Sequence, residues 1–559
     1  MTTIQKSFSM NVAYHLAQMA QTQPNAPAII LPNKQNKHKI DQILTFKELN
    51  TLSDRVAQGL SNQGVSAGQK IILLISFDID FFIIIFSLFK MGAIPVVVDP
   101  GMGISRMLHC FSQTYPSVFI GIPKAHGLRY LFPRFFQSIS HFISTGSFRL
   151  PNTISYKNLK TTPLQNPFPT YQPMPDETCA ILFTSGSTGP AKGVCYTHEL
   201  LNAQICHIKE HFHIFPNEID FPTFPLFALF NPALGMTAIL PDINTSQPIK
   251  SNPKKLVNAI LAQHVSSIFA SPILIKKIAT YAREKGIVLS EINRIISAGA
   301  PILPEIIEQV ATILPTSATV YSGYGATEAM PVCAIDHHEI LSETAVKSRM
   351  GYGTCIGKPL NGLDVQIIKI TEDPIEHVSS AQFLPLYKIG EIIVRGDIVT
   401  KSYYKNEKET RQKNITDGNT FWHRMGDVGW KDEKERIWFC GRKSHRVETN
   451  IKTYFSIPCE AIFNNHPLVC RSALVGILKN SQVVPAICIE LTHKLIKKEI
   501  QKLIFQLQQL ANEHTITQGI TTFFCKSQFP MDIRHNAKIF REKLAVWAQQ
   551  RTPLKGSLL

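Results

Sequence analysis

Thr184-Ser-Gly-Ser-Thr-Gly-Pro-Ala-Lys-Gly193 follows directly on the apolar run Ala180-Ile-Leu-Phe183. Residues 180–183 read as a short buried strand, and the segment after them as the loop that leaves it. Three glycines free the backbone and four hydroxyl side chains can donate, so such a loop can wrap phosphate oxygens, with Lys192 adding positive charge. The pattern G-x-x-x-x-G-K-[ST] is not matched, which excludes a Walker A loop. A Ser/Gly-rich linker is the plain alternative. A linker, however, requires neither a buried strand before it nor a lysine at that spacing.

Outward from this loop, short apolar runs alternate with segments of helical period. Thr45-Phe-Lys-Glu48 has the form of a capping box opening a helix through about residue 60. Residues 70–76 read as a strand, 81–91 as a helix and 94–98 as a strand, and later 267–270, 294–297 and 319–321 as strands with helical patterns between. Strand–helix alternation of this kind predicts α/β layers with mostly parallel sheets. Beyond about residue 350 the texture changes. Residues 365–370, 390–395 and 436–440 read as strands separated by turns, closer to a distorted barrel or antiparallel unit. Gly441-Arg442-Lys443-Ser444 marks a boundary. After it, Ile496, Ile500, Leu503, Ile504, Leu507 and Leu510 share one helical face of a small α+β unit. The expected fold is therefore α/β: a large N-terminal domain, residues 1–441, of layered mostly parallel sheets plus a small barrel-like subdomain. A small C-terminal α+β domain, residues 442–559, follows it.

The chain has 559 residues, 44% hydrophobic and 18% charged, the composition of a folded protein with more than one core. Its formal net charge is +16, without any block of five or six consecutive basic residues. That argues against nucleic acid and for polyanionic substrates or a weak attraction to anionic membrane headgroups. Eleven cysteines contain no C-x-x-C pair, and Cys179, Cys195 and Cys488 sit in apolar runs. This predicts a reducing, cytoplasmic setting with neither disulfide framework nor metal cluster. Residues 1–21 lack the apolar core of a signal peptide. The most apolar stretch, 71–98, is broken by Asp78, Asp80, Lys90 and Pro95. Its charge-free piece, 81–89, falls short of the roughly 20 residues a membrane span needs and predicts a buried helix.

With the loop at 184–193, four further segments occur in the order found in one family. They are Ala298-Gly-Ala-Pro301, Tyr324-Gly-Ala-Thr-Glu328, Trp422-His-Arg-Met-Gly-Asp427 with Gly441-Arg442 after it, and Ala537-Lys538-Ile539-Phe-Arg541. The chain resembles the adenylate-forming, AMP-binding superfamily, which includes acyl-CoA synthetases. The resemblance implies that Thr184, Ser185, Gly186, Ser187, Thr188, Gly189 and Lys192 bind ATP phosphates. It also implies that Gly299, Ala300, Tyr324 and Gly325 line the nucleotide, Thr327 contacts the α-phosphate and Glu328 holds Mg²⁺. Asp427 would bind the ribose hydroxyls, Arg442 would reach the nucleotide, Lys443 would be the hinge, and Lys538 would be the catalytic lysine carried in by a mobile lid. Met425 stands where threonine is usual, Ala537 where glycine is usual, and Met531-Asp-Ile-Arg-His-Asn536 lengthens the loop before Lys538.

Phe224-Pro-Leu-Phe-Ala-Leu-Phe230 occupies the position at which the family lines its acyl pocket, which would make Phe227, Ala228 and Phe230 contacts for a hydrocarbon chain. A plain buried strand is the alternative there. Val96-Val-Val-Asp-Pro-Gly-Met-Gly103, Phe119-Ile-Gly-Ile-Pro-Lys-Ala-His126, Phe224 to Gly235, the Trp422 hexapeptide and Asp532-Ile-Arg-His-Asn-Ala-Lys538 resemble one branch, the β-lactone synthetases of bacterial olefin biosynthesis. Their substrate is a 2-alkyl-3-hydroxy fatty acid, whose own hydroxyl replaces a bound thiol. Thr453 stands where acyl-CoA synthetases often have glycine, in keeping with no need for CoA. Three readings stay open: a β-lactone-forming ligase, a long-chain fatty acyl-CoA synthetase with CoA as co-substrate, and an inactive acyl- or nucleotide-binding protein. The olefin reading would bring pathway enzymes as partners.

Overall fold

The computed structural model describes residues 10–32, 41–146, 150–184, 191–244, 247–531 and 538–554. The N-terminal part is built on two large sheets. In the first, seven strands lie in the order Ile154–Ser155, His141–Ser144, Val118–Gly121, Lys70–Leu74, Ile94–Val98, Thr178–Thr184 and Lys192–Thr197. Neighbours are parallel except the last pair, an antiparallel hairpin with Thr184 opposite Lys192. The quoted loop thus joins two paired strands. Its return strand was not expected, because Lys192 and Gly193 interrupt any apolar run.

The second sheet is parallel through Thr319–Ala326, Arg294–Ser297, Ser267–Ala270, Ile219–Pro222, Thr237–Ile239 and Pro27–Leu31. At one margin the path turns antiparallel through Ala329–Asp336 and Thr354–Pro359. It then enters Ile437–Arg442, Thr420–Lys431, Gly390–Arg395 and Asp364–Ile368, the antiparallel texture read after residue 350.

Helix Phe46–Asn62 begins as its capping box dictates: Thr45 Oγ1 accepts from Glu48 N at 3.2 Å and Glu48 Oε2 accepts from Thr45 N at 2.8 Å. The apolar helix starts at Ile79, two residues before the expected 81, because Asp78 caps it by accepting from Asp80 N at 3.0 Å. It is buried throughout 81–91 and ends at Gly92, whose φ of 69° lets the chain turn back. Burial extends to Lys90, whose ammonium is neutralised by Asp54 at 2.6 Å and capped by Asn50. Among the described residues no helix is long and apolar enough to cross a membrane.

Phe224 to Gly235 is not a strand. It forms two short helices, Pro225–Ala228 and Phe230–Leu234, closed by Gly235 in the left-handed region at φ 78°. Pro225 fixes the start of the first helix, where its missing N–H costs nothing.

After Arg442 comes a single 3₁₀ turn, Lys443–His445, and then a separate α+β unit. Its sheet pairs Val469–Lys479 and Gln482–Leu491 antiparallel and adds Thr522–Cys525 parallel. Helix Lys497–Glu513 packs Leu503, Ile504 and Leu507 into the core of this unit.

Candidate active site

The C-terminal ends of the parallel strands of the second sheet meet the first sheet's hairpin and the antiparallel strands, the usual place for a ligand in a layered α/β fold. Strand Arg294–Ser297 delivers Gly299 and Ala300 just past its end, with Gly299 at φ 87°. Its neighbour Thr319–Ala326 carries Tyr324 and Gly325, then turns at Thr327 and Glu328 into Ala329–Asp336. Gly325 is required there: a Cβ would lie 2.8 Å from the Ala329 carbonyl oxygen.

Asp427 and Arg442 face each other across paired strands, and Tyr324 Oη donates to Asp427 Oδ2 at 2.7 Å. Arg442 Nη1 stands 3.1 Å from Asp427 Oδ1, yet that buried oxygen has no hydrogen bond of good geometry among the described residues. A buried carboxylate oxygen left this way is ready to accept from a ligand hydroxyl. The Asp427 charge raises the Arg442 pKa further, and burial next to Asp427 pushes the Tyr324 phenol well up, so Tyr324 stays a donor. Met425, in the place of the usual threonine, is buried in the main core and offers only its carbonyl oxygen to Arg442, at 3.4 Å.

Glu328 is held by groups that sequence spacing does not connect. Tyr403 Oη donates to Glu328 Oε1 at 2.8 Å, Thr400 N donates to the Glu328 carbonyl at 2.8 Å, and Tyr196 Oη donates to the Thr327 carbonyl at 2.6 Å. Residues 399–404 bridge the hairpin and Ala329, with Val194 opposite Tyr403 and Ala329 opposite Val399. Burial first, and then Glu328, push the Tyr403 phenol far above its ordinary range, so it donates throughout the neutral range. Lys192 pairs with Glu409 on helix Glu407–Lys413 and lies over the Tyr403 ring, 5.7 Å from its centroid. His423, hydrogen-bonded to Asn414 at 2.8 Å, is pushed down to about 4 by burial and stays neutral. Lys413 is lowered by burial, with Lys192 and Lys443 adding to the effect.

Among the residues expected from sequence, Lys192 and Glu328 thus share Tyr403, Tyr324 and Arg442 share Asp427, and Thr184 sits at the strand end beside Lys192. Ser185, Gly186, Ser187, Thr188 and Gly189 lie outside the described residues, as does the stretch 532–537 with Ala537. Lys538 is exposed on the C-terminal unit; next to it Ile539 pairs with Met531, and Arg541 forks onto Glu460 at 2.6 and 2.8 Å. Lys443 Nζ donates to the Thr371 carbonyl at 2.9 Å and lies 3.3 Å from Glu391, tying the residue after Arg442 to the antiparallel strands. Phe227 stacks on Phe269 at 3.9 Å and lies 6.2 Å from Phe230, both half-buried, whereas Ala228 is wholly enclosed in the core. Sequence reasoning missed Tyr196, Tyr403 and Glu409, because none falls in a recognisable spacing, and gave no role to His423 although it lies within the Trp422–Asp427 segment. A cleft of about 390 Å³, lined by Lys47, Asn50, Asp54, Lys90 and Phe168 among others, shares no residue with this site.

The arrangement fits a nucleotide with Mg²⁺. Mg²⁺ prefers one or two carboxylates completed by phosphate oxygens and water. Glu328 offers one carboxylate, and no cluster of three His, Cys, Asp or Glu exists among the described residues.

Comparison with known proteins agrees. The AMP-binding enzyme family matches residues 16–404. The chain belongs to the AMP-binding enzyme family. Within it, this AMP-binding ligase is 37% identical over 549 residues to the olefin beta-lactone synthetase of Xanthomonas campestris pv. campestris, covering 97% of this chain and 98% of that one. It is 36% identical to the olefin beta-lactone synthetase of Stenotrophomonas maltophilia, covering 96% and 98%. The fold is that of solved AMP-binding enzymes. The anthranilate CoA ligase AuaEII bound to anthranoyl-AMP superposes with a TM-score of 0.76 at 17% identity, over 96% of this chain and 97% of that one. The O-succinylbenzoate coenzyme A synthetase of Bacillus subtilis, bound to ATP and magnesium, gives 0.73 at 20% identity, over 95% and 98%.

Proposed function

We propose that this AMP-binding enzyme activates a 2-alkyl-3-hydroxy fatty acid with ATP and closes it to a β-lactone. The observation that carries the product is the near end-to-end identity of 37% to an olefin beta-lactone synthetase, against 25% over 83% of the chain to a 4-coumarate-CoA ligase of Narcissus pseudonarcissus.

In the first step a carboxylate oxygen attacks the α-phosphorus in line and pyrophosphate leaves. Lys192 and the loop that ends at it would hold the phosphates. Thr327 would donate to the α-phosphate, Asp427 would accept from the ribose hydroxyls beside Arg442, and Gly299, Ala300, Tyr324 and Gly325 would border the base. Mg²⁺ supplies neutralisation of phosphate charge when bound, and Glu328, oriented by Tyr403, would hold it. Lys538 would stabilise charge between carboxylate and phosphate once the C-terminal unit turns about Lys443. In the second step the 3-hydroxyl oxygen attacks the adenylated carbonyl carbon, gives up its proton, and AMP departs. This ring closure is intramolecular, so no bound thiol is required. Phe227 and Phe230 would meet the alkyl chain.

Product analysis by mass spectrometry tests the proposal, with ATP, Mg²⁺ and a long-chain 3-hydroxy acid, with and without CoA. Lactone in both reactions is the expected result. A thioester formed only with CoA would support the second reading, a long-chain acyl-CoA synthetase, which the resemblance to named CoA ligases favours.

A further inference from the structure

Between Asp99 and Asp176 the sequence holds seven Lys or Arg residues and no acid at all, so this stretch alone supplies a large part of the net +16. Three of the seven, Arg106, Lys124 and Arg134, fall on one helical layer. Arg129 is buried, Arg149 lies outside the described residues, and Lys157 and Lys160 sit on helix Tyr156–Lys160 over a different core, with Lys160 paired to Asp80. Helices Ile104–Thr114 and Pro123–Leu131 and the 3₁₀ turn Pro133–Phe136 lie together on one face of the seven-stranded sheet, over a core containing Met107, Phe111, Phe119 and Phe136. Phe111 of the first helix meets Phe136 of the turn edge-on at 6.3 Å, which fixes the two side by side. With those residues turned inward, the outer side of the layer presents two kinds of group. Arg106, Lys124 and Arg134 are exposed cations. Ile104, Tyr115, Tyr130 and Leu131 are exposed apolar or aromatic side chains at 54%, 69%, 61% and 72%. Lys405, from far along the chain, adds its ammonium 4.5 Å above the Tyr115 ring.

Scattered singly such side chains are ordinary, but Tyr130 and Leu131 stand next to each other and the same layer carries Ile104 and Tyr115 as well. A surface of cations alone would suit any polyanion. Cations interleaved with Leu, Ile and Tyr tips instead match a bilayer interface, where aromatic and aliphatic tips enter the headgroup layer and Lys and Arg face phosphates. We infer that this acid-free outer layer docks the protein on a membrane surface containing anionic phospholipid. The inference needs no assumption about the product of the reaction. It gives three of the cations behind the net charge a location, on a helical layer other than the strands and turns that carry Glu328 and Asp427.

The test is vesicle flotation of the full-length protein, with ATP binding as the control for folding. Vesicles of equimolar phosphatidylcholine and phosphatidylglycerol float the protein, and phosphatidylcholine alone does not. Arg106→Gln, Lys124→Gln and Arg134→Gln together lower partition on the order of a hundredfold. Tyr130→Ser with Leu131→Ser lowers it on the order of tenfold. ATP affinity stays unchanged in both variants. Absence of flotation with the anionic vesicles, or equal flotation of the native protein and both variants, overturns the inference. Loss in the charge variant with full binding in the apolar variant keeps the docking on this layer and removes the apolar tips from it.

Discussion

At the scale of single residues, the site is held by contacts between groups far apart in sequence, and each makes a definite prediction. Asp427 has one oxygen taken by Tyr324 and a second that is buried without a good hydrogen bond. Asp427→Asn is expected to weaken AMP and ATP binding about tenfold or more, the worth of a hydrogen bond to a charged group. Calorimetric titration checks this, and unchanged affinity would remove Asp427 from the nucleotide site. Lys192 is paired with the Glu409 carboxylate, which would compete with the phosphate that the proposed mechanism brings to it. Both side chains keep some exposure, at 25% and 21%, so the pair is worth at most about 1 kcal/mol. Glu409→Gln should therefore lower the KM for ATP by up to about fivefold, with kcat unchanged. A higher KM would mean that Glu409 holds Lys192 in its working position. The lysine was legible in the sequence as part of a Gly-rich loop. Its partner was not, since nothing in Glu407-Lys-Glu409 marks one carboxylate as facing residue 192.

Among elements, the antiparallel strands Gly390–Arg395 and Thr420–Lys431 are joined by an ion pair sealed from water. Arg424 and Glu391 lie 2.6 Å apart at 1% and 0% exposure, and Arg424 also donates to the Thr371 and Asp373 carbonyls. Lys443, at the start of the C-terminal unit, leans on the same Glu391. Removing one member leaves a buried charge without its partner. Glu391→Ala is accordingly expected to cost about 3–5 kcal/mol in a denaturant titration. The exposed pair Lys255–Asp242, at 58% and 37%, serves as the contrast. Lys255→Ala there should change stability by well under about 1 kcal/mol. A small effect of Glu391→Ala would mean that water reaches Arg424. Elements with local signals were legible: the capping box at Thr45 gave its helix start, and 94–98 and 390–395 are strands at the expected bounds. Phe224 to Gly235 was not legible, because an apolar run that short fits a strand or a helix equally. Pro225 and Gly235 punctuate it, and packing of Phe227 on Phe269 accompanies the helical form.

Over the whole molecule, burial makes stability depend on pH. His198 and His423 are each held down to about 4 by burial, against an ordinary 6.5. From pH 6.5 down to 4 the unfolded chain takes up protons that the folded chain refuses, so these two groups weaken the fold as pH falls through that window. Asp78 and Asp220, raised by burial to about 6, act in the opposite sense by holding protons when folded. His423→Asn should therefore show a shallower loss of melting temperature from pH 6.5 to 4 than the native chain, and equal slopes would refute this. The second prediction at this scale concerns movement. Lys538→Ala is expected to abolish adenylate formation while ATP binding largely survives, because the lysine belongs to the C-terminal unit and not to the strands around Asp427. Native rates of pyrophosphate exchange in that variant would defeat the assignment. By itself the sequence determined the layered α/β class, the change to antiparallel strands after residue 350 and the order of the family segments. Each of these is written in local periodicity or contiguous motifs, which need no distant partner. Only the tertiary structure decided that Tyr403 orients Glu328, that Glu409 takes Lys192, and that Arg106, Lys124 and Arg134 share one helical layer. Those contacts join residues tens to hundreds of positions apart, and their pairing follows from how the two sheets pack.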